Sequence, residues 1–170
     1  LLYTIDYIRQ VSIMDTRIES RQNLDILRKK ENLMKTFGLT GNIGCGKTTV
    51  ANFLSKHEGV VIFDCDRIAK EIICNEVHKK DITGIFGNKI LFGGKIDLKA
   101  IAKIIFADRE KKKLFEDLVH PLVWKTIQAA ILNLKDERIC VIESAILFEI
   151  GWENRFSGVI VVVCNSTEQI

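Results

Sequence analysis

From Met34 onward, short β-branched apolar runs alternate with stretches whose apolar residues recur at helical spacing, the pattern of βαβ units and a mainly parallel sheet. Four strands are predicted, over residues 35–40, 60–63, 139–143 and 159–164. Their nearly continuous apolar character suits strands covered by helices on both faces. Between the first two, Val50, Phe53, Leu54 and His57 recur at i, i+3, i+4 and i+7 and Gly59 follows, which predicts a crossover helix over 47–56. The interval of about 67–135 is too long for one crossover and reads as a helical insertion. Within it, Asp97 is set to cap a helix with Leu98, Ile101, Ala102 and Ile105 on one face. Pro121, the only proline, suits the first turn of a helix whose stripe is Val123, Ile127, Ala130, Ile131 and Leu134. The expected fold is therefore α/β, with a mainly parallel sheet flanked by helices.

The ends read differently. Residues 1–33 alternate charged and apolar positions without Gly or Pro, and a short helix is expected over 23–32. This stretch has no apolar secretion core and carries five acidic residues, unlike a transit peptide, so it is expected to be an upstream extension. The domain proper then runs over 34–170, with Met34 as its start. At the other end Ser166-Thr167-Glu168-Gln169 has the pattern of a capping box and announces a further helix.

With 170 residues and 47% apolar content, the chain can bury a real core. Its formal charge of +3 comes from 25 basic and 22 acidic residues scattered along the chain, so neither nucleic acid nor an anionic membrane is expected as a partner. No apolar run approaches the ~18 residues of a membrane helix. Five cysteines, odd in number and never spaced C-x-x-C, argue for reduced thiols in a cytoplasmic setting rather than a disulfide framework or zinc site.

The strongest chemical signal is Gly41-Asn42-Ile43-Gly44-Cys45-Gly46-Lys47-Thr48, a G-x-x-x-x-G-K-[ST] match between a predicted strand and a predicted helix. Glycines let backbone N–H groups converge on phosphate oxygens, and the helix N-terminus adds unpaired donors and a favourable dipole. Gly41, Gly44, Cys45, Gly46, Lys47, Thr48 and Thr49 are the expected nucleotide-binding set. Lys47 reaches the terminal phosphates, and the Thr48 hydroxyl is the expected ligand to Mg²⁺. A thiol at Cys45, beside Lys47 and a helix start, is set up for reactivity if exposed.

The second strand ends in Asp64-Cys65-Asp66, at the same carboxyl edge of a parallel sheet as the phosphate loop. One of these carboxylates can cap the next helix, while the other accepts a hydroxyl proton or holds a metal-bound water. Capping is assigned to Asp64 and chemistry to Asp66. Glu143-Ser144 ends the third strand at that same edge, and Glu149 follows within a short span, either acting on substrate or pairing with Arg155. His120, read as preceding a helix start, either caps N–H groups or touches a phosphate.

Taken together these residues resemble the dephospho-CoA kinase family. The resemblance is carried by Gly38-Leu39-Thr40-Gly41 leading into the loop, Thr49-Val50-Ala51 after it, Asp64-Cys65-Asp66 with Ile68-Ala69, Phe86-Gly87, Phe106, His120-Pro121 and Leu147-Phe148-Glu149. It implies a P-loop kinase fold and ATP-dependent phosphorylation of the ribose 3′-hydroxyl of dephospho-CoA, the last step of coenzyme A synthesis. It further implies Asp66 as catalytic base, the helical insertion as acceptor-binding region, and His120 and Glu149 as candidate substrate contacts. Cys45 stands where the family commonly has Ser, Ala145 where it commonly has Pro, and Leu98-Lys99 where a basic residue usually opens a helix. The family continues into an Arg-bearing lid helix and a closing strand and helix, which 1–170 does not include. Two other readings stay open: another small-molecule P-loop kinase, and an ATP-binding piece that does not turn over without the lid. A GTPase reading rests only on Asp81-Ile82-Thr83-Gly84, a D-x-x-G match that follows no predicted strand.

Overall fold

The computed structural model describes residues 34–134 and 139–164. The helix expected over 23–32 and the capping box at 166–169 lie outside the described residues. In chain order the elements are β1 (Thr36–Gly41), α1 (Lys47–Leu54), β2 (Val60–Asp64), α2 (Cys65–Ile73), α3 (Lys79–Phe86), β3 (Leu91–Phe92), β4 (Lys95–Ile96), α4 (Leu98–Ala107), α5 (Arg109–Asn133), β5 (Ile139–Glu143) and β6 (Gly158–Val162). Short 3-10 turns lie at Glu76–His78, Asn88–Ile90 and Glu153–Arg155.

Two compact units emerge. The first comprises 1–65 and 126–170, and its described part is built on a four-stranded sheet in the order β2-β5-β1-β6, every pairing parallel. Strand β5 is central and fully apolar between its ends, and Cys140, Val141 and Ile142 are each no more than 2% exposed. Such a strand must be covered on both faces, because polar positions have no water to turn to. On one face Leu39, Ala51 and Val141 form a buried cluster joined by Val50, Leu54, Val60, Ile62 and Val162. Helix α1 thus faces the sheet with Val50, Ala51 and Leu54. The stripe expected from periodicity is rotated, since Phe53 is 61% exposed and meets His57 edge to face at 5.2 Å on the outer side.

The second unit, Asp66–Lys125, is helical apart from the β3–β4 hairpin, whose Leu91↔Ile96 and Phe92↔Lys95 pairs are closed by Gly93-Gly94. The sequence pattern shows this glycine pair only as a break, because two-residue strands are too short to display alternation. Its buried apolar residues include Ile68, Ile72, Ile82, Phe86, Ile90, Ile101 and Val119, and Phe86 meets Phe115 edge to face at 5.4 Å. Helix α4 starts as expected, with the Asp97 carboxylate accepting from the Lys99 N–H at 2.8 Å. Asp81 and Gly84 fall within α3, so the D-x-x-G match is a helical coincidence and not a loop.

The largest departure from the sequence reading is at Pro121. A helix was expected to begin there; instead α5 runs unbroken from Arg109 to Asn133 with Pro121 inside it. An interior proline forfeits one backbone hydrogen bond and crowds the preceding turn, at a cost of about 3 kcal/mol. Burial on both sides of it offsets this: Val119, Val123, Ile127, Ala130 and Ile131 are all no more than 4% exposed. His120 is accordingly an interior helical residue rather than a residue before a helix start, and the capping role fails because no orphan N–H groups lie there.

Burial holds the His120 imidazole below its ordinary pKa of 6.5, against the opposing pull of Glu116 and Asp117 one turn earlier. The neutral form is thus favoured in the folded protein, and protons bind the unfolded chain first as pH falls. Stability from this group is intact above 6.5 and is lost progressively between 6.5 and the lower folded-state value. Thermal unfolding of wild type and His120→Gln at about pH 7.5 and about pH 5.5 should show the smaller acid-induced drop in the variant. An equal drop in both would show that His120 titrates as it does in water.

Candidate active site

Strand β1 delivers the phosphate loop. Its last residue, Gly41, pairs with Val162 of β6, and a Cβ at Gly41 would run into the Val162 carbonyl oxygen, so no other residue fits that strand end. The loop then turns through Gly44 and Gly46, whose φ angles of 81° and 83° lie in the left-handed region that side chains disfavour. Gly46 is the residue before α1, and Lys47, Thr48 and Thr49 form that helix's first turn. The N-terminal N–H groups of α1 are not capped by the Gly46 position's side chain, since it has none, and so stay available to an anion.

Lys47 is folded back over the loop. Its ammonium donates to the Gly41 carbonyl at 2.8 Å and to the Asn42 carbonyl at 3.1 Å, and the Cys45 N–H donates to the Asn42 carbonyl at 3.3 Å. The Thr48 hydroxyl donates to a Glu143 carboxylate oxygen at 3.2 Å. Glu143 ends β5 and stands in register with Leu39 of β1 on one side and Asp64 of β2 on the other. The Ser144 N–H continues the ladder to the Leu39 carbonyl at 3.0 Å, which holds the end of β5 against the start of the loop.

A cleft of 470 Å³ opens beside the loop, lined by Thr40, Gly41, Asn42, Ile43, Val161 and the segment after β5 through Ala145, Ile146, Phe148 and Glu149. Glu149 is exposed in this wall. Arg155, its alternative partner from sequence, lies over the Trp152 ring at 5.8 Å from the centroid.

The expected residues therefore separate by unit. Gly41, Gly44, Cys45, Gly46, Lys47, Thr48, Thr49 and Glu149 belong to the first unit, and of these Gly41 and Glu149 line one cleft. Asp66 and His120 belong to the second. Helix α2 begins at Cys65, so Asp64 is the residue just before it and Asp66, exposed, lies in its first turn. Cys45 is buried, at 9% exposed, so the condition of exposure attached to its expected reactivity is not met. Glu143 carried no assigned role in the sequence reading. A carboxylate closing an otherwise apolar strand at the loop's edge of the sheet was the available signal.

Comparison with known proteins bears on this arrangement. The CoaE (dephospho-CoA kinase) family model matches residues 35–170. The chain belongs to the dephospho-CoA kinase family. It is 32% identical over 147 residues to a dephospho-CoA kinase of Prochlorococcus marinus, covering 83% of this chain and 72% of that protein. It is 35% identical over 132 residues to one from Aquifex aeolicus, covering 76% and 66%. Among solved structures, a protein from Thermus thermophilus superposes with a TM-score of 0.71 at 32% identity, over 80% of this chain and 69% of that one. Dephospho-CoA kinase from Campylobacter jejuni gives 0.56 at 32% identity, over 74% and 64%. The parallel sheet with its flanking helices and phosphate loop is thus the P-loop kinase fold of that family.

Proposed function

We propose that the protein transfers the terminal phosphoryl group of ATP to the ribose 3′-hydroxyl of dephospho-CoA, giving coenzyme A and ADP. The observation that carries this is the loop itself: in a chain of this family, Lys47 and Thr48 open α1 directly after the phosphate loop, and the loop's Gly41, Asn42 and Ile43 line a cleft that Glu149 also lines. Phosphoryl transfer asks the protein mainly to position reactants and to stabilise charge. The loop N–H groups would cradle the phosphates, and Lys47 would exchange its contacts with the Gly41 and Asn42 carbonyls for terminal phosphate oxygens.

Mg²⁺ fits the donors at hand. Thr48 and Glu143 present two hard oxygen atoms 3.2 Å apart beside the loop. Magnesium bound with a nucleotide takes one or two protein oxygens, phosphate oxygens and water, so it needs no cage of three protein ligands. None is found among the described residues. Thr48 would hold the ion directly and Glu143 would hold it or one of its waters.

Asp66 is the proposed base that accepts the 3′-hydroxyl proton, with a water-mediated contact to the metal as a second duty. Its support is its place two residues beyond the carboxyl end of β2, exposed and in the first turn of α2. Glu149 and His120 are proposed acceptor contacts, the first on the strength of its place in the cleft wall. The cysteine pattern, five in number and never spaced C-x-x-C, supports a cytoplasmic setting. Among the described residues no helix is long and apolar enough to cross a membrane.

The direct test is ATP consumption with dephospho-CoA against other alcohols; selective turnover of dephospho-CoA is expected, and indifference to the acceptor would point to another small-molecule kinase. Lys47→Ala should lower turnover on the order of 10²-fold or more and weaken ATP binding in a folded protein, and unchanged nucleotide affinity would sink the loop's assignment. Asp66→Asn should keep ATP affinity while kcat falls about 10²–10⁴-fold, with Asp64→Asn much milder; the opposite ranking would transfer the base role to Asp64. Glu143→Gln should raise the Mg²⁺ concentration needed for half-maximal rate about tenfold or more, whereas an unshifted metal titration would leave Glu143 a purely structural partner of Thr48.

A further inference from the structure

We propose that Cys45 and Cys164 form a redox-responsive pair that locks the phosphate loop when oxidised, an inference that rests on the loop's role in binding ATP. The two sulfur atoms are 2.8 Å apart. That is closer than non-bonded heavy atoms pack, about 3.5–4.0 Å, and within a small displacement of the ~2.05 Å of a disulfide. The proximity comes from the sheet. Strands β1 and β6 are parallel neighbours in register through Gly41↔Val162, so the chain leaving β6 runs beside the loop leaving β1. Cys164 is two residues beyond Val162, and Cys45 is four beyond Gly41.

The position of Cys45 makes the pairing consequential. It lies between Gly44 and Gly46, both with left-handed φ, and its own N–H donates within the loop to the Asn42 carbonyl. To receive a phosphate the loop must release that contact and turn the N–H toward the anion. A bond from Cys45 to the end of β6 ties down the one side chain in this glycine-flanked turn and holds the loop in its self-bonded form.

The chemistry needs an oxidant, and a low-molecular-weight disulfide such as oxidised glutathione suffices. The thiolate of Cys164, the more exposed of the two, attacks one sulfur of the small disulfide. A mixed disulfide forms and one small thiol leaves with a proton. The Cys45 thiolate then attacks the Cys164 sulfur, closing the Cys45–Cys164 bond and expelling the second small thiol with a second proton. The protein loses two electrons and two protons, and the small disulfide gains both. A dithiol reductant reverses the sequence.

The experiment uses the whole chain, reduced or treated with oxidised glutathione, with peptide mapping and ATP titration on the same samples. Oxidation should yield a Cys45–Cys164 cross-linked peptide and lower Mg-ATP affinity about tenfold or more, restored by dithiothreitol. Cys164→Ser should bind ATP like wild type when reduced and should keep that affinity after the oxidant. Recovery of Cys45 and Cys164 as separate thiols from oxidised, folded protein would overturn the proposal. So would a cross-link that leaves ATP affinity unchanged, or equal loss of affinity in Cys164→Ser. Failure of the reduced protein to bind ATP would count against the loop's function instead, while the peptide map would still decide whether the pair forms.

Discussion

Strand β1 is hydrogen-bonded along both edges, to β5 and to β6, and the site depends on that double pairing. A phosphate-binding turn is a run of backbone donors that must be aimed before the ligand arrives, and isolated glycine-rich chain has no means to aim it. Here the aim is imposed from outside the loop. The β6 partner fixes where Gly41 ends, and the β5 partner carries Glu143 to Thr48 and ties Ser144 back to Leu39. Helix α1 then sets the far end, with Val50, Ala51 and Leu54 seated on the sheet.

Much of this was legible in the chain because the relevant residues report local physics. The four sheet strands lie within a residue or two of where their apolar runs predict, since a strand buried on both faces can tolerate little else. Asp97 caps α4 as its position suggests, because capping depends on a few consecutive residues. Pro121 misled for the complementary reason. The rule that proline opens helices concerns backbone cost alone, and it was overridden by a buried stripe that continues across the proline from Val119 to Ile131. The β3–β4 hairpin was missed because its strands are shorter than any periodicity.

At the site, the loop could be read because its function lies in contiguous spacing. Glu143 could not be assigned in the same way, being 95 residues from Thr48 and joined to it only by strand order. The Cys45–Cys164 contact spans 119 residues and depends on the same ladder. Both relationships follow once β1 is known to lie between β5 and β6, a fact of topology that no single segment encodes.

The two kinds of loop position differ in their freedom to drift. At Gly41 the Val162 carbonyl occupies the space of any side chain, so every replacement is penalised and the position is closed to neutral change. At Cys45 the backbone N–H bonds within the loop, and the side chain meets the Cys164 sulfur just beyond β6. The phosphate loop therefore combines a position closed to any side chain with one that keeps its backbone donor whatever side chain it carries, and in this chain the latter holds sulfur.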